Sequence, residues 1–219
     1  MATIRRTPLS RDRILASALA LADEHGVDAV TMRRLGDELG YEAMSLYRHV
    51  ANKDDLLNGM LDLVLTEFEP PFEDEPWDAA IRRSAISVHE SLQRHPWAIG
   101  LLMTPQHVRP PRVAYMDALL GRLRNAGFSA ETTYTAYHVL DAHIFGFSLW
   151  HTTYERASTM PREVVEKLMR EIPFDDYPHL REHRDQHVAE GPHREVDAFA
   201  FGLDMILAGL AKLRSPGVR

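Results

Sequence analysis

Between Ala43 and Lys53 the chain sets out Ala43, Met44, Ser45, Tyr47, Arg48, His49 and Lys53. Hydroxyls, a guanidinium, an imidazole and an ammonium donate hydrogen bonds to phosphate oxygens and base edges. Leu46 and Val50, four residues apart, turn inward and leave this set on the outside of a short helix. Thr31 and Arg33 add a hydroxyl and a cation ahead of it. Arg33 and Lys53, at either end of the stretch, are placed to grip the backbone of a duplex. The competing reading is a solvated helical hairpin with incidental polar residues.

Two short helices must position these groups. Thr31 is an N-cap, because its hydroxyl can accept from the open amides of the first turn. Met32, Leu35 and Leu39 follow on one helical face. Gly36 on that side lets a second helix come close, and Gly40 is placed to end the first in a left-handed turn. Such a pair is a helix-turn-helix, whose second helix enters a major groove. Ser10 caps a preceding helix to about His25, with Ile14, Leu15, Ala18, Leu19 and Ala22 as its stripe. Asn52 caps a following helix to about Phe68, built on Leu56, Leu57, Met60, Leu61, Val64 and Leu65. This helix is the expected lever between a DNA-binding domain, residues 1–57, and a larger helical domain, residues 58–219.

Composition limits the alternatives. The 219 residues are 45% hydrophobic and 26% charged, and they include no cysteine, which excludes disulfides and thiolate chemistry. No apolar run reaches the length of a membrane span, and the N-terminus lacks a signal-peptide core, so a cytoplasmic, membrane-free protein is expected. The net charge of −7 does not suit a general nucleic-acid binder. It is unevenly spread: residues 1–53 hold 8 Lys/Arg against 7 Asp/Glu, the remainder 17 against 25. The positive field is local, expected from Arg5, Arg6, Arg11, Arg33, Arg48 and Lys53, and duplex binding should be salt-sensitive.

Helical periodicity continues to the end, with no strand alternation or hairpin turn, so the chain is read as all-α. An acidic, proline-rich linker, EPPFEDEPW, leads to a helix from Trp77 to Arg94 and a short apolar piece. A helix from Pro111 to Gly127 is expected to face Val113, Met116, Leu119, Leu120 and Leu123 inward. Ser129 caps a long helix to about Arg156. The last helix, about Arg194 to Leu213, sets Val196, Phe199, Leu203, Ile206 and Leu210 on one face and Phe201, Met205 and Ala208 on another. Such a helix can serve its own core and a second copy together. His179, His183 and His187 recur at a spacing able to chelate a metal, but their charged neighbours favour a solvated face, and no metal or cofactor is expected. No G-x-S-x-G, P-loop, dinucleotide fingerprint or H-E-x-x-H motif is present, and no enzyme is expected. An all-helical dimer without sequence-specific DNA binding, or a small-molecule enzyme, are the alternatives.

The run LYRHVANKDDLL, Leu46 to Leu57, resembles the signature of the TetR (tetracycline-repressor) family of bacterial transcriptional regulators. Ala126-Gly127-Phe128-Ser129, Gly146, Phe201-Gly202-Leu203-Asp204 and Gly209-Leu210 resemble its tetracycline-repressor branch. The resemblance implies a homodimeric, ligand-responsive repressor. The helix from Ser129 and the last helix would form a four-helix bundle with their copies. It also implies operator contacts at Thr31, Arg33, Ser45, Tyr47, His49 and Lys53. Met32, Ala43, Met44 and Arg48 depart from the branch pattern, so a different operator is expected. Leu102 and Trp150 stand where the branch holds a magnesium-chelated drug through a histidine and an acid, so magnesium–tetracycline is not expected. A dimer would fix two recognition helices about 34–36 Å apart and so demand a palindromic operator. The candidates for a small-molecule effector pocket are Trp97, Met103, Met116, Tyr137, His138, Phe147, Trp150 and His151. Aromatic rings, methionine and a few imidazoles make an adaptable apolar cavity with polar anchors. At helical spacing the same residues serve equally as core.

Overall fold

A computed structural model describes residues 8–104, 109–158, 160–190 and 197–214 of the chain. No strand occurs among them. Helix α1 spans Arg11–His25, and its first-turn amide at Arg13 is met by the Ser10 hydroxyl. Helix α2, Met32–Leu39, starts under the Thr31 hydroxyl, which accepts from the Arg34 amide. It ends on Gly40 in the left-handed region, φ 74° and ψ 34°. Helix α3 is short, Ala43–Leu46, but His49 and Val50 both donate back to the Leu46 carbonyl and extend the winding. Helix α4, Lys53–Thr66, is capped by the Asn52 side chain, which accepts from the Asp55 amide.

These four helices enclose one buried cluster that includes Ile14, Ala18, Val30, Leu35, Leu46, Val50, Leu56 and Met60. From Leu61 onward, α4 belongs to a second, larger cluster. One uninterrupted helix therefore serves both cores, and the changeover falls between Met60 and Leu61.

The second cluster is built by α5 (Trp77–Arg94), α6 (Pro96–Leu102), α7 (Pro110–Asn125), α8 (Ala130–Ser158) and α11 (Ala198–Leu213). Helix α8 is the axis, with α5, α6, α7 and α11 packed along it. Between α8 and α11 lie α9 (Arg162–Glu171) and α10 (Pro178–Glu190). Arg83 secures the acidic linker by reaching Glu69, Glu75 and the Pro70 carbonyl, and it lies over the Phe72 ring. One inward assignment is corrected: Val113 on α7 is exposed, and Tyr115 is buried instead. The Tyr115 hydroxyl lies 3.0 Å from Ser84 Oγ, which donates to the Glu69 carbonyl. Val196 lies outside the described residues.

Candidate nucleic-acid interface and effector cavity

The seat of α3 on α2 is made by a missing side chain. A Cβ at Gly36 would stand 2.7 Å from the Tyr41 carbonyl oxygen and 3.2 Å from the Ala43 amide nitrogen, both backbone atoms. Leu46 and Val50 then anchor the inner face, with almost no exposure. Arg33, Ala43 and Ser45 come together along one open groove between the helices, with Asp37, Tyr41 and Glu42. Met44, Tyr47 and Arg48 lie at i, i+3 and i+4 and share the outermost face, all three exposed. Lys53 is exposed at the first residue of α4, and His49 is half-buried. The Thr31 hydroxyl is engaged as a helix cap.

Arg11 does not extend the positive field. Its guanidinium forms a bidentate pair with Asp55, at 2.9 and 2.7 Å, and donates to the His49 carbonyl at 3.0 Å. Asp55 also accepts from the Ala51 amide at 2.9 Å. The Arg11 hydrogen bonds, joined by that amide, hold the Asp55 carboxyl down at about 2. This cluster clamps the exit of the recognition segment onto α1 and α4. Arg5 and Arg6 lie outside the described residues.

A second polar cluster ties this head to the body. The buried His95 imidazole sits between two carboxylates, Nδ1 at 2.8 Å from Asp23 of α1 and Nε2 at 3.1 Å from Glu67. Trp97 Nε1 donates to the same Asp23 oxygen at 2.7 Å, and Arg94 and Ser91 donate to Glu67. Arg109, just ahead of α7, pairs with Asp62 of α4 at 2.6 Å. Trp97 and Leu101 of α6 pack against both buried clusters.

The other end of α6 borders a half-open cavity of about 400 Å³, lined among the described residues by Leu102, Met103, Arg112, Asp141, Ala142, Phe145 and Gly146. Arg112 pairs with Asp141 at 2.9 Å and lies 4.2 Å from the centre of the Phe145 ring. The Tyr137 hydroxyl is 3.5 Å from the same Asp141 oxygen. Burial pushes the Tyr137 hydroxyl upward, with the Asp141 charge adding to the effect.

The sequence candidates for a pocket are thus divided. Met103 lines the cavity and Tyr137 touches its charged wall. Trp97 lies at the head–body joint. Met116 packs against the body core, and His138 is exposed, with Nδ1 at 2.8 Å from the Tyr134 carbonyl. Phe147 and His151 join an aromatic stack with His89, His143 and Phe199 of α11, and exposed Trp150 lies against Phe147. Within that stack the His89 ring lies 3.9 Å from Phe199 and nearly parallel to it. Ser148 donates to the Ile144 carbonyl, so His89 Nδ1 donates to Ser148 Oγ, at 2.7 Å. The Gln93 amide donates to Nε2 at 2.8 Å, which fixes a neutral tautomer. Burial, then the neighbouring His151, pulls His89 down to about 4. On α10, His179 and His183 are exposed and the His187 side chain lies outside the described residues. Sequence reading missed Asp23, Glu67, His95, Arg112 and Asp141. Their partners lie 28 to 72 residues away along the chain, beyond the reach of any periodic pattern.

A small capped helix pair with an outward polar face, joined through one shared helix to a body holding a cavity, defines a helix-turn-helix transcriptional regulator. Comparison with known proteins fixes the family. Residues 14–60 match the family described as bacterial regulatory proteins, tetR family, and residues 69–214 match the tetracyclin repressor-like C-terminal domain. The HTH-type transcriptional repressor DrrR1 of Streptomyces coeruleorubidus is 30% identical over 215 residues, 94% of this chain and 78% of that one. The class E tetracycline repressor protein of Escherichia coli is 32% identical over 126 residues, 56% of this chain and 59% of that one. The crystal structure of the Streptomyces coelicolor TetR family protein ActR in complex with actinorhodin superposes with a TM-score of 0.69 at 27% identity, covering 95% of this chain and all of that one. The chain belongs to the TetR family and is a ligand-responsive regulator of transcription. No helix among the described residues is long and apolar enough to cross a membrane.

Proposed function

We propose that the head, residues 1–57, reads a palindromic operator through Met44, Tyr47 and Arg48, with Arg33, Ser45 and Lys53 flanking them. The body, residues 58–219, is the effector-binding and dimerisation unit. The observation that carries this reading is the face of α3: three exposed side chains on a helix whose inner face is fully buried. Binding by a pair of heads is supported by the apolar residues that the protomer leaves uncovered on α8 and α11. Tyr134, Trp150, Phe201 and Met205 are all more than half exposed, and large apolar side chains left open along helix faces point to a protein interface.

The effector site in this reading is the cavity at the end of α6. Its apolar wall of Leu102, Met103 and Phe145 suits a largely apolar molecule. The adjacent guanidinium and carboxylate of Arg112 and Asp141 suit a polar edge that both donates and accepts. ActR, a similar fold, was solved in complex with actinorhodin. Helix α6 lines this cavity at one end and holds Asp23 of the head at the other. An effector that fits one position of α6 better than another shifts the spacing of the heads. Coupling of ~1–3 kcal/mol would change operator affinity roughly 5- to 150-fold.

The test is a gel shift with duplexes from the upstream region of the protein's own gene. Specific retardation that disappears when Tyr47 and Lys53 are both replaced by Ala is expected. Retardation that survives the double replacement would move the interface elsewhere.

A further inference from the structure

We propose that Met44 selects a thymine at one fixed position in each operator half-site, by contact with its C5-methyl group. This rests on the reading of α3 as the helix that enters the major groove.

Met44 is 74% exposed, more than any other large apolar side chain among the described residues. Among the described residues of the head, the other exposed large side chain of that kind is Tyr47, at 45%. No described residue of the head buries Met44, and the local backbone leaves it no way to turn inward. The start of α3 is seated on Gly36, and Leu46 and Val50 fix its rotation. Ala43 is half-buried at that seat, and Ser45 turns into the groove beside Arg33. Met44 is therefore the first side chain of α3 that projects outward.

Position gives the exposure its meaning. The N-terminal residues of a recognition helix meet base edges. Tyr47 and Arg48, one turn later on the same face, carry the hydroxyl and the cation. The major-groove edge of DNA offers one apolar feature, the thymine methyl. Over that methyl, Met44 removes apolar surface from water on both sides. Over the amino group of cytosine or the N7 and O6 of guanine, the thioether would strip water from polar atoms and return no comparable hydrogen bond. Selection therefore has a favourable and an unfavourable part. A flexible, polarisable side chain also tolerates small differences in groove geometry.

The experiment starts from a random duplex library retained by the full-length protein. The expected outcome is an invariant T·A pair at symmetric positions of the two half-sites. Replacing that thymine by deoxyuridine removes the methyl group and nothing else. Affinity should then fall about fourfold for one half-site and about fifteenfold for both, the transfer value of one or two methyl groups. Met44→Ala should weaken the thymine duplex by a similar factor and bind thymine and uracil duplexes alike. Because Met44 is exposed and Ala favours helix, this variant keeps the fold. Uracil duplexes bound as tightly as thymine duplexes at every position would overturn the proposal. So would a Met44→Ala protein that still discriminates thymine from uracil. A library from which no duplex is retained would instead sink the DNA-binding reading itself.

Discussion

The head and the body place their polar groups in opposite ways. Around the outward face of the head, the supporting polar groups are matched within the domain: Arg11 with Asp55, the Thr31 and Ser10 hydroxyls with first-turn amides. What remains outside is a compact set on α3 and its flanks. In the body the informative polar groups are turned inward. His95 lies between Asp23 and Glu67, Arg112 lies against Asp141 in a cavity wall, and His89 is neutral within an aromatic stack. A surface that must meet a polyanion needs a rigid floor and exposed donors. A unit that must respond to a small molecule needs buried groups whose geometry differs between two states.

The sharpest way to break this contrast is to remove the floor. Gly36→Ala puts a Cβ 2.7 Å from a backbone carbonyl, and the clash should cost about 3 kcal/mol in a head with little core to absorb it. Operator retardation should vanish while circular dichroism still reports a helical body. Retained binding would mean that α2 and α3 can separate without harm.

Acid should act on the body first. Folded His89 titrates at about 4 against an ordinary value of 6.5, so between these the unfolded chain holds the extra proton. Stability is then complete above about pH 6.5 and declines as pH falls toward 4, by up to about 3 kcal/mol. Asp55, held at about 2, keeps its charge through that window. Its contribution is lost only as pH drops from the ordinary carboxylate range through about 2. Denaturant midpoints measured across this range should lose their slope between pH 6.5 and 4 in His89→Gln. An unaltered slope would assign the acid sensitivity to another group.

The smallest expected effects separate two cations of the head. Arg11→Ala should weaken operator binding with no change in the slope of log affinity against log salt, because its guanidinium is committed to Asp55 and His49. Lys53→Ala should reduce that slope by about one per head. A slope change for Arg11, or none for Lys53, would reverse their assigned roles.

How much of this is legible from residues alone follows the range of the interactions. The caps at Ser10, Thr31 and Asn52, the glycines at 36 and 40, and the two faces of α11 all depend on neighbours within a few positions, and each is found where the pattern puts it. Val113 shows where spacing fails. Several apolar residues on α7 satisfy a helical stripe, and Tyr115 completes it as well as Val113 once Ser84 is there to take its hydroxyl. The cavity at the end of α6 shows the larger gap. Aromatic residues at helical spacing declare themselves buried without saying in which gap between helices, so Trp97, Phe147 and His151 go to places other than the cavity. Arg112 and Asp141 acquire their meaning only when α7 and α8 pack side by side.

Because α4 runs without interruption through both cores, the protein has no swivel between reader and sensor. A rod of fourteen residues is about 21 Å long. A tilt of about 5° at its inner end carries the outer end through about 2 Å. Two such arms on a common base would act as calipers, turning a small tilt where they are held into a shift of about 2 Å at each jaw.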